Sequence, residues 1–226
     1  ILDPVGAITL FTLVIALGLR LKNPSIGNNF MLFYATGFLP YTFFMQTNMR
    51  VAKCLRYSRQ LLKYPRVTFV DAIIARFIVY VITHLMVFYV LMTGIHVAFG
   101  LPVLLDVQAI ALALTLAATL GLGVGCLNCF LMSFFPIWEN IWAIMTRPLL
   151  LLSTVIYTYE EIPWQFQDVI WYNPLVQIIG LMRRGFYPTY EANYASVVYV
   201  FAVALAPMAL GMVLLYRWNR VLMNRG

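Results

Sequence analysis

Six apolar runs constrain the fold of this chain more than any other feature of its sequence. With a window of roughly 19 residues, they lie at about 3–20, 29–49, 67–93, 107–132, 138–158 and 194–216. An α-helix needs about 20 largely apolar residues to cross the hydrocarbon layer of a bilayer. The runs therefore predict an all-α integral membrane protein with six transmembrane helices, which we number spans one to six.

The composition supports the same fold class. Of the 226 residues, 63% are hydrophobic and 10% are charged, which is far from the composition of soluble domains. The segments between the runs are too short or too apolar to form a separate soluble domain. We therefore expect one transmembrane domain over 1–226, and we find no pattern of a secretory signal peptide at its start.

A basic segment at 50–66 predicts the orientation of the chain. It holds six of the fifteen lysines and arginines and no acid, and three more arginines lie in the C-terminal tail. Because such residues concentrate in cytosolic loops, we place both segments, and with six spans both termini, in the cytosol. Topology also explains the net charge of +7, so we expect no nucleic-acid partner.

The basic segment has the periodicity of a helix. At 100° per residue, Arg56, Arg59, Lys63 and Arg66 share one face, and the opposite side is mostly apolar. One interpretation is an amphipathic helix that lies on the membrane and attracts anionic lipid. The other is a docking element for a cytosolic partner, and the composition is compatible with both.

The segment 159–193 is too long for a simple turn and too apolar to lie free in water. We predict two short helices at about 163–172 and 174–185, separated at Asn173-Pro174, with Asn173 as N-cap and Pro174 in the first turn. Non-helical backbone at membrane depth is tolerated only where protein or a water-filled cavity covers it. An extracytoplasmic re-entrant hairpin that closes a pore or a subunit seam is the expectation.

Arg147 is a candidate functional residue because it lies near the middle of span five, and a cation at that depth is costly. The alternative is a structural ion pair with Asp71 or with Glu139 of a neighbouring chain. Aromatic residues surround span five and the hairpin: Trp138, Trp142, Tyr157, Tyr159, Trp164, Trp171, Tyr172, Phe186 and Tyr187. They are typical of interfacial belts, and their flat faces would also stack on sugar rings.

Motifs of catalysis do not occur in the sequence. There is no GxxxxGK[ST], GxSxG or HExxH, and the acids form no evident pair. Cys126 and Cys129 have the spacing of a metal or redox pair, but without a second pair we expect a buried structural role and no metal site. We therefore expect a protein that is not an enzyme, and an energy-coupled transporter of this kind needs its ATPase on another chain.

Ala117, Gly121 and Gly125 follow one another at four-residue spacing in span four. Small residues in this pattern let two helices approach closely. We expect the neighbouring helix to come from the same subunit.

The order of these motifs resembles the membrane subunits of ABC-2 type exporters, most closely the capsular polysaccharide exporters of Gram-negative bacteria. Similar stretches run along the whole chain: LDP at 2–4, YSRQLLKYPR at 57–66, Pro148 with STVIY at 153–157, IP at 162–163, YNPL at 172–175 and RGF at 184–186. The first of these opens the family's first span, which would place a cytosolic N-terminal helix before residue 1.

The resemblance implies a homodimer in the bacterial inner membrane, with the polymer path between its halves. It also implies two cytosolic ATPase subunits, which carry the ATP and magnesium, and a periplasmic adaptor. No cofactor is expected on this chain. The resemblance assigns ATPase docking to 50–66, and within it to these residues: Arg56, Tyr57, Arg59, Lys63 and Tyr64.

The expected cargo is a lipid-linked acidic polysaccharide. Its carboxylates or phosphates would be attracted by Arg147, Arg183 and Arg184, and its sugars would slide over aromatic faces at Trp138, Trp142, Tyr157, Tyr159, Trp164 and Trp171. O-antigen, teichoic acid and a small lipophilic molecule are alternative cargoes. A channel or a membrane-embedded enzyme is a different class, and the scarcity of acids within the spans argues against ion coupling.

Overall fold

The computed structural model describes residues 25–27, 29–58, 60, 67–100 and 105–224, with side chains as far as Trp218. The helices in this part of the chain are α1 (Phe30–Ala52), α2 (Cys54–Tyr57), α3 (Phe69–Phe99), α4 (Val107–Phe134), α5 (Trp138–Thr146), α6 (Leu149–Leu152), α7 (Trp164–Trp171), α8 (Pro174–Phe186) and α9 (Val197–Asn224), with one turn of 3-10 helix at Tyr159–Glu161. The described part contains no β-strand. The all-α fold class is therefore confirmed.

Four of the predicted spans correspond to long helices. The runs at 29–49, 67–93, 107–132 and 194–216 become α1, α3, α4 and α9. Within the described residues, three segments are long and apolar enough to cross a membrane: Phe69–Phe99, Val107–Phe134 and Val197–Trp218. Span one, at 3–20, lies outside the described residues.

The helices begin where short polar side chains cap them. The Asn29 side chain accepts hydrogen bonds from the backbone N–H groups of Met31 and Leu32 at the start of α1. Asp106 caps α4 in the same way. Asn173 caps α8, with Pro174 in the first turn as predicted, because its oxygen accepts from the Leu175 N–H.

Helix α4 is the centre of the bundle. Of its most apolar stretch, 56% is buried inside the protein, against 17% for α3 and for α9. It packs against α1 on one side and α9 on the other. The outward side chains of α3 and α9 are largely apolar, as helices surrounded by lipid or by another subunit require.

Small residues allow α4 to approach both neighbours. Gly121 and Gly125 lie against Thr47 and Val51 of α1, and a Cβ atom on either glycine would be within 3.0 Å of those side chains. Gly123 lies directly against the backbone of Ala204 in α9. The small-residue face thus packs within the chain, as expected.

The predicted span five is not one helix. It is divided into α5 and α6, followed by non-helical backbone over 153–158. Pro148, between the two helices, has no N–H to donate to the Ile144 carbonyl, which removes one helical hydrogen bond. Thr154 then has a φ of 55°, in the left-handed region, which turns the chain away from the helix axis.

The predicted hairpin helices are present, and they differ in environment. In α8 every residue from Leu175 to Phe186 is buried except Arg184. No residue of α7 is buried. Helix α8 is therefore part of the bundle core, and α7 lies on its surface.

Candidate functional site

The basic segment is bound to α5 through one carboxylate. Glu139 accepts from Lys53 at 2.5 Å through one oxygen and from Arg56 at 3.2 Å through the other. Lys53 lies at the break between α1 and α2. The first turn of α5 is thereby bound to the start of the predicted docking segment.

A buried polar chain lies beside this ion pair. The Trp138 indole N–H donates to the Asn128 side-chain oxygen at 2.9 Å, and the Asn128 amide donates to the Asn48 oxygen at 3.0 Å. Both asparagines are almost fully buried. These two hydrogen bonds join α1, α4 and α5, and the Asn48 amide nitrogen is buried without a partner among the described residues.

The remaining docking candidates are placed differently. Tyr57 is 63% exposed, and the Arg76 guanidinium lies 5.6 Å from the centre of its ring. Arg59, Lys63 and Tyr64 lie outside the described residues. Of the predicted docking set, Arg56 and Tyr57 are thus the two whose surroundings the structure describes.

The cysteines are buried, and a structural role for them stays a prediction. Cys54, Cys126 and Cys129 are all free and buried, and the sulfur atoms of Cys54 and Cys129 lie 3.7 Å apart. The described residues contain no group of three side chains able to hold a metal ion. These sulfurs pack α2 against α4 as small apolar groups do.

Arg183 lies beside Phe33, near the start of α1. Along α1, Phe33 is about 30 Å from Lys53 at a rise of about 1.5 Å per residue. Arg183 is 1% exposed. Its two terminal nitrogens donate to the carbonyls of Tyr157 at 2.7 Å and Val155 at 2.9 Å. Its guanidinium carbon lies 4.1 Å from the centre of the Phe33 ring. An arginine side chain keeps its charge in proteins, so the bonds to the two carbonyls are charge-assisted hydrogen bonds.

The segment held by Arg183 is strained and closely packed. Thr154 is fully buried and has the left-handed φ of 55°, which costs a residue other than glycine on the order of 1–3 kcal/mol. Gly37 of α1 makes room for it, since a Cβ atom there would lie 2.9 Å from the Val155 carbonyl oxygen. The charge-assisted bonds from Arg183 offset part of this strain.

A tyrosine cluster holds the segments around α8 together. The rings of Tyr159 and Tyr194 stack at 4.2 Å, and the Tyr190 and Tyr194 hydroxyls are 3.1 Å apart. Tyr190 also donates to Glu160 at 3.1 Å, and the Trp171 indole donates to the Tyr194 carbonyl at 2.9 Å. Sequence reasoning selected Tyr159 and Trp171 and missed Tyr190 and Tyr194, although their four-residue spacing was visible.

Arg184 lies beside Arg183 in sequence and in a different environment. It is exposed and lines a cleft of about 420 Å³ together with Asp106, Pro188, Tyr190, Glu191 and Asn193. The acids at this cleft were not selected from the sequence. Of the two neighbouring arginines, Arg184 is the one that a solute can reach in this structure.

Arg147 is exposed at the end of α5. The acids considered as its partners are engaged elsewhere within the chain: Glu139 binds Lys53 and Arg56, and Asp71 closes the capping box of α3 with Thr68. Among the described residues, Arg147 makes no ion pair or hydrogen bond through its side chain.

The aromatic side chains proposed for the polymer path lie in separate parts of the chain. Trp138 and Trp142 lie on α5, with the Trp142 indole nitrogen buried and without a partner among the described residues. Tyr157 donates to the Leu151 carbonyl at 2.6 Å. Trp164 is isolated and 78% exposed on α7. The structure thus brings Tyr157, Tyr159, Trp171 and Arg183 to one end of the bundle and Trp138 to the other.

Comparisons with known proteins agree with the helical architecture. A sequence model described as ABC-2 type transporter matches residues 1–187. The chain is 23% identical over 214 residues, 95% of its length and 82% of the relative, to the polysialic acid transport protein KpsM of Escherichia coli. It is 22% identical over 192 residues, 85% and 72% of the two chains, to the capsule polysaccharide export inner-membrane protein CtrC of Neisseria meningitidis. A shorter match, 24% over 115 residues and 51% and 43% of the chains, is to BexB of Haemophilus influenzae, which bears the same description. Because the family match covers most of its length, this chain belongs to the ABC-2 type transporter family.

Proposed function

We propose that the chain is the membrane-spanning subunit of an ATP-driven exporter that moves a lipid-anchored, acidic capsular polysaccharide across the bacterial inner membrane. The observation that carries this proposal is the similarity, over 95% of the chain, to a protein named for polysialic acid transport. Polysialic acid is an acidic polymer, and a second relative is named for capsule polysaccharide export at the inner membrane.

In this proposal the domain has six spans and acts as a homodimer. The spans are 3–20, α1, α3, α4, the α5–α6 segment and α9, with both termini in the cytosol. Helices α7 and α8 form a re-entrant hairpin on the opposite side. The deep burial of α8 and the exposure of α7 support such a hairpin, because backbone inside a bilayer needs protein around it.

Two cytosolic ATPase subunits dock on the basic segment 50–66. The exposed Tyr57 ring and the exposed Arg56 side chain support this assignment, and Arg59, Lys63 and Tyr64 complete the proposed surface. ATP and magnesium bind to the ATPase chains. On the outer side, the hairpin is the expected contact for a periplasmic adaptor.

Arg147 and Arg184 attract the polymer's carboxylates or phosphates, since both guanidinium groups are exposed. Aromatic rings at Trp142, Tyr159 and Trp164 offer weak stacking, which lets a moving polymer leave each position easily. Arg183 lies behind this surface and supports it indirectly. Its guanidinium donates to two backbone carbonyls and so holds the segment that carries them. The hairpin acts as the outer gate.

The test is a purification of the tagged full chain from native membranes in mild detergent, combined with deletion of its gene. We expect an ATPase chain to co-purify and to hydrolyse ATP, and the deletion to remove acidic polymer from the cell surface while polymer accumulates inside. An unchanged amount of surface polymer in the deletion strain would contradict export. Intact protein without an ATPase would contradict ATP-driven coupling.

A further inference from the structure

We propose that Glu139 is a positioning residue that transmits movement of the basic segment to α5 through its ion pairs with Lys53 and Arg56. This inference rests on the proposed function, because it assumes that an ATPase moves the basic segment. In sequence, that segment joins spans two and three, whereas Glu139 belongs to span five. The ion pair is therefore a direct connection to a helix that the chain order does not place next to the docking surface.

We call the contact of Glu139 with Lys53 and Arg56 the joint. In it, one carboxylate binds two cations. Each oxygen of Glu139 has its own partner, Lys53 at 2.5 Å and Arg56 at 3.2 Å. Lys53 ends α1, and Arg56 lies on the short helix α2 that follows. A displacement or rotation of α2 therefore changes the position that Glu139 must occupy.

Among the described residues, the side chains of α5 that bind other elements lie in its first turn, at Trp138 and Glu139. Its one buried residue, Thr146, lies in its last turn, so little packing fixes the helix between its ends. Trp138, adjacent to Glu139, is bound through Asn128 to Asn48 in the core. The hydrogen bond of Trp138 to Asn128 fixes the start of α5 in the core. The ion pairs of Glu139, one residue further on, then set the direction of the helix axis.

The far end of the same segment reaches the outer side of the bundle. After Pro148 and α6, the chain arrives at the Val155 and Tyr157 carbonyls, which Arg183 of α8 holds. A change in the direction of α5 is thus passed along a short covalent path to the proposed outer gate. Contiguous contacts of this kind can carry coupling when the end elements have alternative positions.

Substitution of Glu139 can distinguish transmission of movement to α5 from docking of the ATPase. A charge reversal at Arg56 would remove a docking cation and break the Glu139 pair together. Substitution of Glu139 breaks only the pair, because Glu139 lies outside the basic segment and leaves its cations in place.

The experiment compares wild type with Glu139→Gln, Glu139→Lys and the charge swap Lys53→Glu/Glu139→Lys, each as the full tagged chain in its native cells. Three quantities are measured at matched amounts of membrane protein: the co-purified ATPase chain, its ATP hydrolysis, and surface acidic polymer by binding of a cationic dye. We expect both single variants to keep the ATPase and its hydrolysis within about twofold of wild type while surface polymer falls at least about fivefold. The swap should restore at least half of the wild-type polymer.

Each other outcome counts against a specific statement. Surface polymer within about twofold of wild type in both single variants would overturn the joint. Loss of the ATPase in proportion to the loss of polymer would also overturn it, because Glu139 would then be a docking residue. Failure of the swap to restore polymer while the ATPase chain still co-purifies at the wild-type level would overturn the ion pair as the connection. Wild type that retained no ATPase would contradict the proposed function and overturn the joint with it, whereas the other outcomes overturn the joint alone.

Discussion

Arg183 stacks its guanidinium on the ring of Phe33, with 4.1 Å between the guanidinium carbon and the ring centre. This contact joins the buried hairpin helix α8 to the start of α1. Because the same guanidinium binds two backbone carbonyls of the 153–158 segment, one side chain holds three parts of the bundle together.

Arg183→Ala should destabilise the protein, and Arg184→Ala is its matched control. The first variant leaves the Val155 and Tyr157 carbonyls without their donor, and bonds to a charged group contribute about 1.5–3 kcal/mol each. We expect a fall of several degrees in the thermal midpoint of the purified protein for Arg183→Ala and almost none for the exposed Arg184→Ala. Equal midpoints for the two variants would contradict the buried clamp. Arg183→Lys should recover little, because an ammonium cannot reproduce the planar fork.

Gly37→Ala should also destabilise the protein. The new methyl group would lie 2.9 Å from the Val155 oxygen, and overpacking of this kind costs about 1–3 kcal/mol. Gly94→Ala in α3 is the control, since nothing lies within 4 Å of a Cβ atom there, and alanine favours a helix by up to about 1 kcal/mol. The thermal midpoint should therefore fall for Gly37→Ala and stay or rise for Gly94→Ala. A Gly37→Ala protein as stable as wild type would mean that the segment is not packed against α1.

The buried asparagine pair should show strong coupling. Asn128→Leu leaves Asn48 and Trp138 without a partner, and an unsatisfied buried group costs about 1–3 kcal/mol. The double variant Asn48→Leu/Asn128→Leu removes both amides, so its loss of stability should be smaller than the sum of the two single losses. Thermal or denaturant unfolding of the four proteins measures this. Additive losses would indicate that the two amides do not bind each other.

Arg147 is expected to act through its charge. Arg147→Gln should reduce surface acidic polymer several-fold at unchanged protein level, whereas Arg147→Lys should keep most of it, because a lysine still attracts carboxylates and phosphates. Stability should change little in either variant, since Arg147 is exposed and makes no ion pair within the described residues. Wild-type polymer in Arg147→Gln would remove this residue from the proposed path.

Span five shows that an apolar run in the sequence does not by itself predict a continuous helix. Among the described residues, proline occurs in three of the apolar runs that we predicted as continuous: Pro40 and Pro207 lie inside unbroken helices, whereas Pro148 separates α5 from α6. The residue type is the same, so the sequence pattern does not distinguish the three prolines. Packing separates α1 from α5, but α9 is unbroken although only 17% of its most apolar stretch is buried. Helix α1 is closely packed along its length, whereas α5 buries only Thr146.

The sequence by itself determined which segments are apolar enough to be helical, where caps such as Asn173 start them, and which small residues permit close packing. Those properties are local, because they depend on periodicity and on neighbours a few residues away. Only the tertiary structure decided which charges meet. Arg183 and Arg184 are adjacent, yet the turn of about 100° between them on α8 directs one into the core and the other to a cleft. Glu139 meets Lys53 and Arg56 because α1 and α5 both pack against α4, and no spacing along the chain specifies that contact.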